Sequence, residues 1–199
     1  MHFVLFLSIL FSAFSFHASS ILFEKIQTSK AAAESELRSI YQRWEVSNYP
    51  NFFKTCWMEK PSWDILILKF QYAVLNINGL KDFVISFTGS SVTAGHDSRI
   101  SEAFPALVHS MLSPAFRIAG LELIVRNVAL GNNPCMPYDI CVRTFAGEDA
   151  DIVVWEQTYN CGNDKHKAVL EQFLRQAMIM PRRPIVVYSD SVTTNWYVC

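Results

Sequence analysis

Residues 83–97, FVISFTGSSVTAGHD, organise this 199-residue chain. Phe83 to Thr88 is a short, mainly apolar run, and Gly89-Ser90-Ser91 follows it directly. Such a run, bounded by turn residues, suits a central parallel strand covered on both faces. Gly89 permits a backbone conformation or a close approach that a side chain would obstruct, and Gly95 lets the chain leave the turn. Ser90 and Ser91 then sit at the carboxyl end of the strand, where ligands and reacting groups collect in open α/β sheets. The two serines are therefore the first candidates for a nucleophile.

Working outward, three more apolar runs read as strands: Leu121 to Val125, Asp151 to Trp155 and Pro184 to Tyr188. Helical periodicity separates them. Arg99–Phe116 carries Phe104, Leu107, Val108, Met111 and Leu112 on one stripe, with Pro105 marking a kink or the true helix start. Asp139–Phe145 has room for one short helix, and Lys165–Met180 places Val169, Phe173, Leu174, Ala177 and Met178 inward. Strands alternating with helices predict an α/β domain with a parallel sheet. Upstream, 21–47 repeats apolar residues at helical spacing, and 47–61 is aromatic and irregular. Ile65 to Leu75 reads as a helix, with a strand over Ile65–Leu68 as the competing reading. Ser189 to Cys199 reads as a tail. The expected division is a targeting segment over 1–20, a helical and aromatic lead-in over 21–80, and the main domain over 81–199.

Composition narrows the setting. A net charge of −1, with no Lys/Arg cluster, argues against nucleic-acid binding through a basic face. Phe3 to Phe16 is almost wholly apolar and is followed by His17-Ala18-Ser19-Ser20. That pattern fits a secretory signal peptide cleaved after Ser20. Counting Ile21, Leu22 and Phe23 into the run leaves an uncleaved membrane anchor open. Either way the remainder faces an oxidising compartment. Five cysteines then point to disulfides. Cys135 with Cys141 is one possible pair and Cys56 with Cys161 another; the odd count leaves one over, and Cys199 ends the chain. The histidines and cysteines lack paired ligand spacing, so no metal and no cofactor is expected.

Three strand ends carry small polar clusters: Gly89-Ser90-Ser91, Asn127 through Asn133, and Gln157 through Asn160. On neighbouring parallel strands these ends converge on one edge. A serine, a glycine amide and an asparagine amide are the inventory for acyl transfer: a nucleophile with donors for an oxyanion. Taken singly, each cluster also serves as an ordinary hydrogen-bonded turn. Glu156 and Gln157 are candidate substrate contacts, with a buried structural role as the alternative. Trp155 reads as packing.

Gly89-Ser90-Ser91-Val92-Thr93-Ala94-Gly95 resembles the first block of the SGNH (GDSL-like) hydrolases, Gly-Asp-Ser-x-Thr-x-Gly. Ser91 stands in the nucleophile's place and Ser90 replaces the Asp. Asn127 to Gly131 resembles the second block, whose glycine N–H serves the oxyanion, and Gly131 is its nearest match. Asp151 to Asn160 resembles the third block, which places Asn160 at the oxyanion asparagine; Asn163 is the competing choice. The resemblance spans 83 to about 189, with the blocks in family order. It implies a three-layer α/β/α sandwich of the flavodoxin-like kind and a serine esterase acting on an acyl ester of a glycan or lipid.

The family's fourth block, a carboxyl-terminal Asp-x-x-His that supplies the general base, has no counterpart. His96, His109 and His166 are the candidates, and none has the block's spacing. Only a short tail follows the fourth strand, so the expected reading is a fragment or truncated product lacking the last strand and the His loop, with little hydrolase activity. The alternatives are a non-catalytic lumenal domain binding a glycan or protein, and an acyltransferase.

Overall fold

The structure, a computed structural model, describes residues 20–43, 56–58, 60–75, 81–161, 166–190 and 195–198. The apolar segment 1–19 and residues 162–165, which include Asn163, lie outside the described residues, as does Cys199. No described helix is long and apolar enough to cross a membrane.

The elements run in chain order as α1 (Ser20–Arg43), β1 (Cys56–Met58), α2 (Lys60–Val74), β2 (Asp82–Gly89), α3 (Ser91–Ala94) and α4 (Phe104–Ile118). They continue as β3 (Glu122–Asn127), α5 (Tyr138–Ala146), β4 (Ile152–Glu156), α6 (Thr158–Cys161), α7 (His166–Met178), β5 (Ile185–Asp190) and β6 (Asn195–Val198). The sheet order is β1-β6-β5-β4-β2-β3. From β5 to β3 all pairings are parallel.

Alternation along the central strands feeds two cores. Phe83, Ile85 and Phe87 of β2, Ile152 and Val154 of β4, and Ile185 and Val187 of β5 face α2 and α4. Leu66, Phe70, Leu112 and Phe116 meet them from those helices, with the rings of Phe70 and Phe116 edge to face at 5.4 Å. Val153, Trp155 and Val186 face the other way, onto Tyr138, Val142 and Ala146 of α5 and Val169, Phe173 and Ala177 of α7. The fold is therefore a three-layer α/β/α arrangement, and burial on both faces explains why these strands read as continuous apolar runs. Helix α1 lies along α4.

The amino ends of the strands are tied by charge. Arg182 donates from Nη1 to Asp151 (2.8 Å) and from Nη2 to Asp82 (3.3 Å). Asp151 also accepts from the Val84 N–H at 2.9 Å. Asp82 precedes β2's core residues and Asp151 immediately precedes β4, so the guanidinium spans two neighbouring strands. Burial raises the Asp151 carboxyl despite Arg182 and Lys69 beside it.

Several expectations change. The tail holds a strand: β6 runs antiparallel on β5, with Tyr188 opposite Tyr197. Asn195-Trp196-Tyr197-Val198 has the aromatic and β-branched content of a strand, and it covers an edge of β5 that would otherwise be unpaired. The segment read as irregular contributes β1, paired with β6. Ile65–Leu68 is helical, inside α2. Pro105 lies in the first turn of α4, where its missing N–H costs nothing, so it marks the true start. Met178, expected inward, is 70 % exposed because α7 ends there. Cys135 pairs with Cys161, with Cα atoms 5.1 Å apart, and Cys141 is a free thiol. Both pairings suggested by the sequence are thereby replaced.

Candidate active site

Strand β2 ends at Gly89, opposite Glu156 of β4, while Phe87 lies opposite Asn127 of β3. Parallel pairing therefore brings the three polar clusters to one edge of the sheet. Gly89 is required by proximity: a Cβ there would lie 2.5 Å from both Cβ and Oγ1 of Thr93. The chain turns at Ser90 and begins α3 at Ser91. The Ser90 hydroxyl caps that short helix by accepting from the Val92 N–H at 3.2 Å. Gly95 ends it at φ +89°, with its N–H on the Ser91 carbonyl.

A buried carboxylate holds this turn. Glu156 Oε2 accepts from the Ser90 hydroxyl (2.7 Å), the Ser90 N–H (3.0 Å) and the Thr93 hydroxyl (2.9 Å). Ser90, Thr93 and Glu156 are all at most 3 % exposed. A carboxyl group from β4 thus lies against position 90. Glu156, a substrate-contact candidate by sequence, lies beneath the turn, because its side chain points to the face occupied by Ser90 and Thr93. Ser91 is the serine left half-buried at the surface, whereas Ser90 is fully enclosed.

The second arm follows β3. Asn127 donates from Nδ2 to the Thr93 carbonyl at 3.1 Å and accepts the Ala129 N–H at 3.2 Å. The Val128 and Leu130 N–H groups donate to the carbonyls of Phe87 and Gly89. These bonds run the chain along the end of β2 until Gly131 packs on Ser91. A Cβ on Gly131 would lie 3.3 Å from the Ser91 Cβ. Neither the Ser91 nor the Gly131 N–H is engaged by an acceptor among the described residues.

The third arm follows β4. Gln157 is fully buried, and its backbone carbonyl accepts the N–H groups of Asn160 and Cys161, both at 3.0 Å. Asn160 is half-buried and donates from Nδ2 to Gln157 Oε1 at 3.0 Å. The Cys135–Cys161 disulfide joins the arm carrying Gly131 to the short helix carrying Asn160.

Asn127, which opens the second polar cluster of the sequence, latches β3 to the Ser91 helix. One further residue with a part in this construction escaped the sequence reading. Tyr138 donates to the Val128 carbonyl at 2.6 Å and had no signal beyond being an aromatic after a proline. Burial pushes the Tyr138 phenol up to about 12. A raised folded pKa supplies stability below the unfolded value near 10, and that stability is lost as pH rises through about 12. Alkaline absorbance titration is expected to show one tyrosine ionising near that upper value, missing in Tyr138→Phe. A titration identical for wild type and variant would contradict the assignment.

The described histidine rings are not paired with Ser91. His96 Nδ1 pairs with Asp97 Oδ2 at 2.8 Å on an exposed turn, and His109 is exposed on α4. The His96 backbone N–H donates to the Ser91 carbonyl at 2.8 Å, while no described histidine side chain hydrogen-bonds Ser91. The side chain of His166 lies outside the description. The described residues contain no group of three metal-ligating side chains.

No family model matches the chain, and no curated protein matches it. Among solved structures the fold is similar to that of a two-domain esterase (CEX) active on acetylated mannans. The TM-score is 0.53 at 14 % identity, over 67 % of this chain and 40 % of that one. A structure of that esterase co-crystallised with mannopentaose gives a TM-score of 0.50 at 13 % identity, over 66 % and 42 % of the two chains. The chain therefore spans about two-fifths of the length of these structures, and the likeness establishes the α/β fold.

Proposed function

We propose that this chain carries the nucleophile and the oxyanion donors of an SGNH-type serine esterase, acting on acyl esters of a glycan or lipid. The observation that carries this reading is the packing of Gly131 on Ser91 at the shared strand edge. In the proposed reaction Ser91 Oγ bonds to the ester carbonyl carbon and gives its proton to a base. The carbonyl π pair moves onto oxygen. The Ser91 and Gly131 N–H groups and Asn160 Nδ2 stabilise that oxyanion, each donor contributing about 10²–10³ in rate. Collapse expels the alcohol and leaves an acyl-serine, which water then hydrolyses. The fold shared with an esterase of acetylated mannans supports an acylated glycan as substrate. The disulfide and the apolar leader at 1–20 support a secretory-pathway setting, secreted or held by an anchor. In this reading 81–199 is the hydrolase-like domain, 21–80 its lead-in, and no cofactor takes part.

No described side chain acts as a base on Ser91, and a positioned base is worth about 10²–10⁴-fold. Turnover by residues 1–199 alone is accordingly expected to be weak. Free imidazole tests this by standing in for the base. With 4-nitrophenyl acetate, imidazole is expected to raise hydrolysis by the wild type well above that by Ser91→Ala. Equal rates for the two proteins at every imidazole concentration would remove the nucleophile assignment. The pairing of the His96 ring with Asp97 and the exposure of His109 support a second reading, a non-catalytic glycan- or protein-binding domain, and that outcome would favour it.

A further inference from the structure

Gln157 is a costly residue for its position. It is fully buried, immediately after a strand whose five residues are all buried. Its Nε2 finds no acceptor among the described residues. Burying a primary amide with part of its hydrogen-bonding unmet costs about 1–3 kcal/mol on mutational scales, so packing alone favours an apolar side chain here. What the amide does supply is an acceptor: Gln157 Oε1 takes one hydrogen of the Asn160 side-chain amide at 3.0 Å. Its backbone carbonyl meanwhile accepts the Asn160 and Cys161 N–H groups. One residue thus grips Asn160 through both backbone and side chain. The disulfide at Cys161 prevents the short helix from drifting off that grip.

We infer that Gln157 is the positioning residue for the Asn160 amide: it holds one Nδ2 hydrogen and so leaves the other to face the reacting oxygen. This rests on Asn160 being an oxyanion donor. Gln157 is placed behind Asn160, away from the substrate-contact role its neighbourhood in the sequence suggested. A half-buried asparagine amide on a four-residue helix would otherwise rotate about its side-chain torsions. Holding donors before charge develops is what makes an oxyanion hole effective.

The test is a double-mutant cycle on the imidazole-assisted, Ser91-dependent hydrolysis of 4-nitrophenyl acetate. Gln157→Met keeps length and burial and removes the acceptor; Gln157→Glu keeps an acceptor. Gln157→Met is expected to lower kcat by about 10²-fold, close to the effect of Asn160→Ala, with KM changed less than about twofold. In the Asn160→Ala background Gln157→Met is expected to add nothing, because its effect runs through the missing amide. Gln157→Glu is expected to recover part of the loss.

Additive penalties, or a Gln157→Met variant at the wild-type rate beside an impaired Asn160→Ala, overturn the positioning role and leave the esterase reading standing. A wild-type rate for Asn160→Ala overturns both. A readout independent of turnover covers a chain too slow to assay. The Asn160 side-chain NH₂ pair in a ¹⁵N-correlated NMR spectrum is expected to move toward the two shifts of a free asparagine amide in Gln157→Met, and to keep its displaced shifts in Gln157→Glu. An unchanged Asn160 pair in Gln157→Met overturns the inference, and so does one that moves equally in Gln157→Glu.

Discussion

Glu156→Leu is expected to be among the most damaging single substitutions in this chain. It removes the acceptor shared by the Ser90 and Thr93 hydroxyls, both at most 1 % exposed. Each buried donor left without a partner costs about 1–3 kcal/mol, so the loss is about 2–6 kcal/mol, a large share of an ordinary domain's stability. The Ser90 N–H keeps the Glu156 backbone carbonyl at 2.9 Å and is not orphaned. Glu156→Gln retains an acceptor for the two hydroxyls and is expected to lose less. Urea unfolding followed by circular dichroism measures both. A midpoint for Glu156→Leu at or above that of Glu156→Gln would mean that the carboxylate does not hold the turn. The functional consequence follows from the architecture. Ser91 is the first residue of a four-residue helix whose cap, Ser90, is held by this carboxylate.

The second large effect is expected from replacing Cys135 and Cys161 together by serine. The disulfide closes a sequence separation of 26 residues. Constraining a loop of that length in the unfolded chain stabilises the fold by about 3–4 kcal/mol in the chain-entropy picture. The same bond ties the Gly131 arm to the Asn160 helix. The double variant is therefore expected to lose Ser91-dependent, imidazole-assisted turnover even in conditions where circular dichroism reports a folded protein. The partner variant Cys141→Ser, on a thiol outside the disulfide, is expected to leave both stability and turnover close to wild type. Full turnover in the folded double variant would show that the two arms keep their register without the covalent link.

Much of the sheet was legible because its central strands are buried on both faces. Continuous apolar runs such as Ile152–Trp155 admit few other structures when short and bounded by turn residues. Strands β1 and β6 were not legible. Cys56–Met58 has three residues, too few to show a period, and Asn195–Val198 reads as a tail until β5 offers an edge to pair with. The site divides in the same way. Gly89, Ser91 and Gly95 announce themselves, since a turn made directly off a buried strand needs small residues. Glu156 beneath Ser90, Tyr138 on the Val128 carbonyl and Gln157 behind Asn160 do not, because each is a polar residue whose partner lies on another element or around a turn.

What the sequence determined by itself was local and periodic. It specified four apolar strands alternating with helices, a glycine-serine turn at the end of the first, and polar clusters closing the next two. Those features depend on the spacing of residues along one segment, which the order of amino acids states directly. Only the tertiary structure decided which serine stays accessible, which cysteines join, and which carboxylate completes the turn. Pairing Gly89 with Glu156 across β2 and β4 encloses Ser90, half-exposes Ser91 and places the Glu156 carboxyl against Ser90 and Thr93. That choice depends on strand order and register. Any chain with these same local signals leaves both open until burial on two faces of the sheet selects one arrangement.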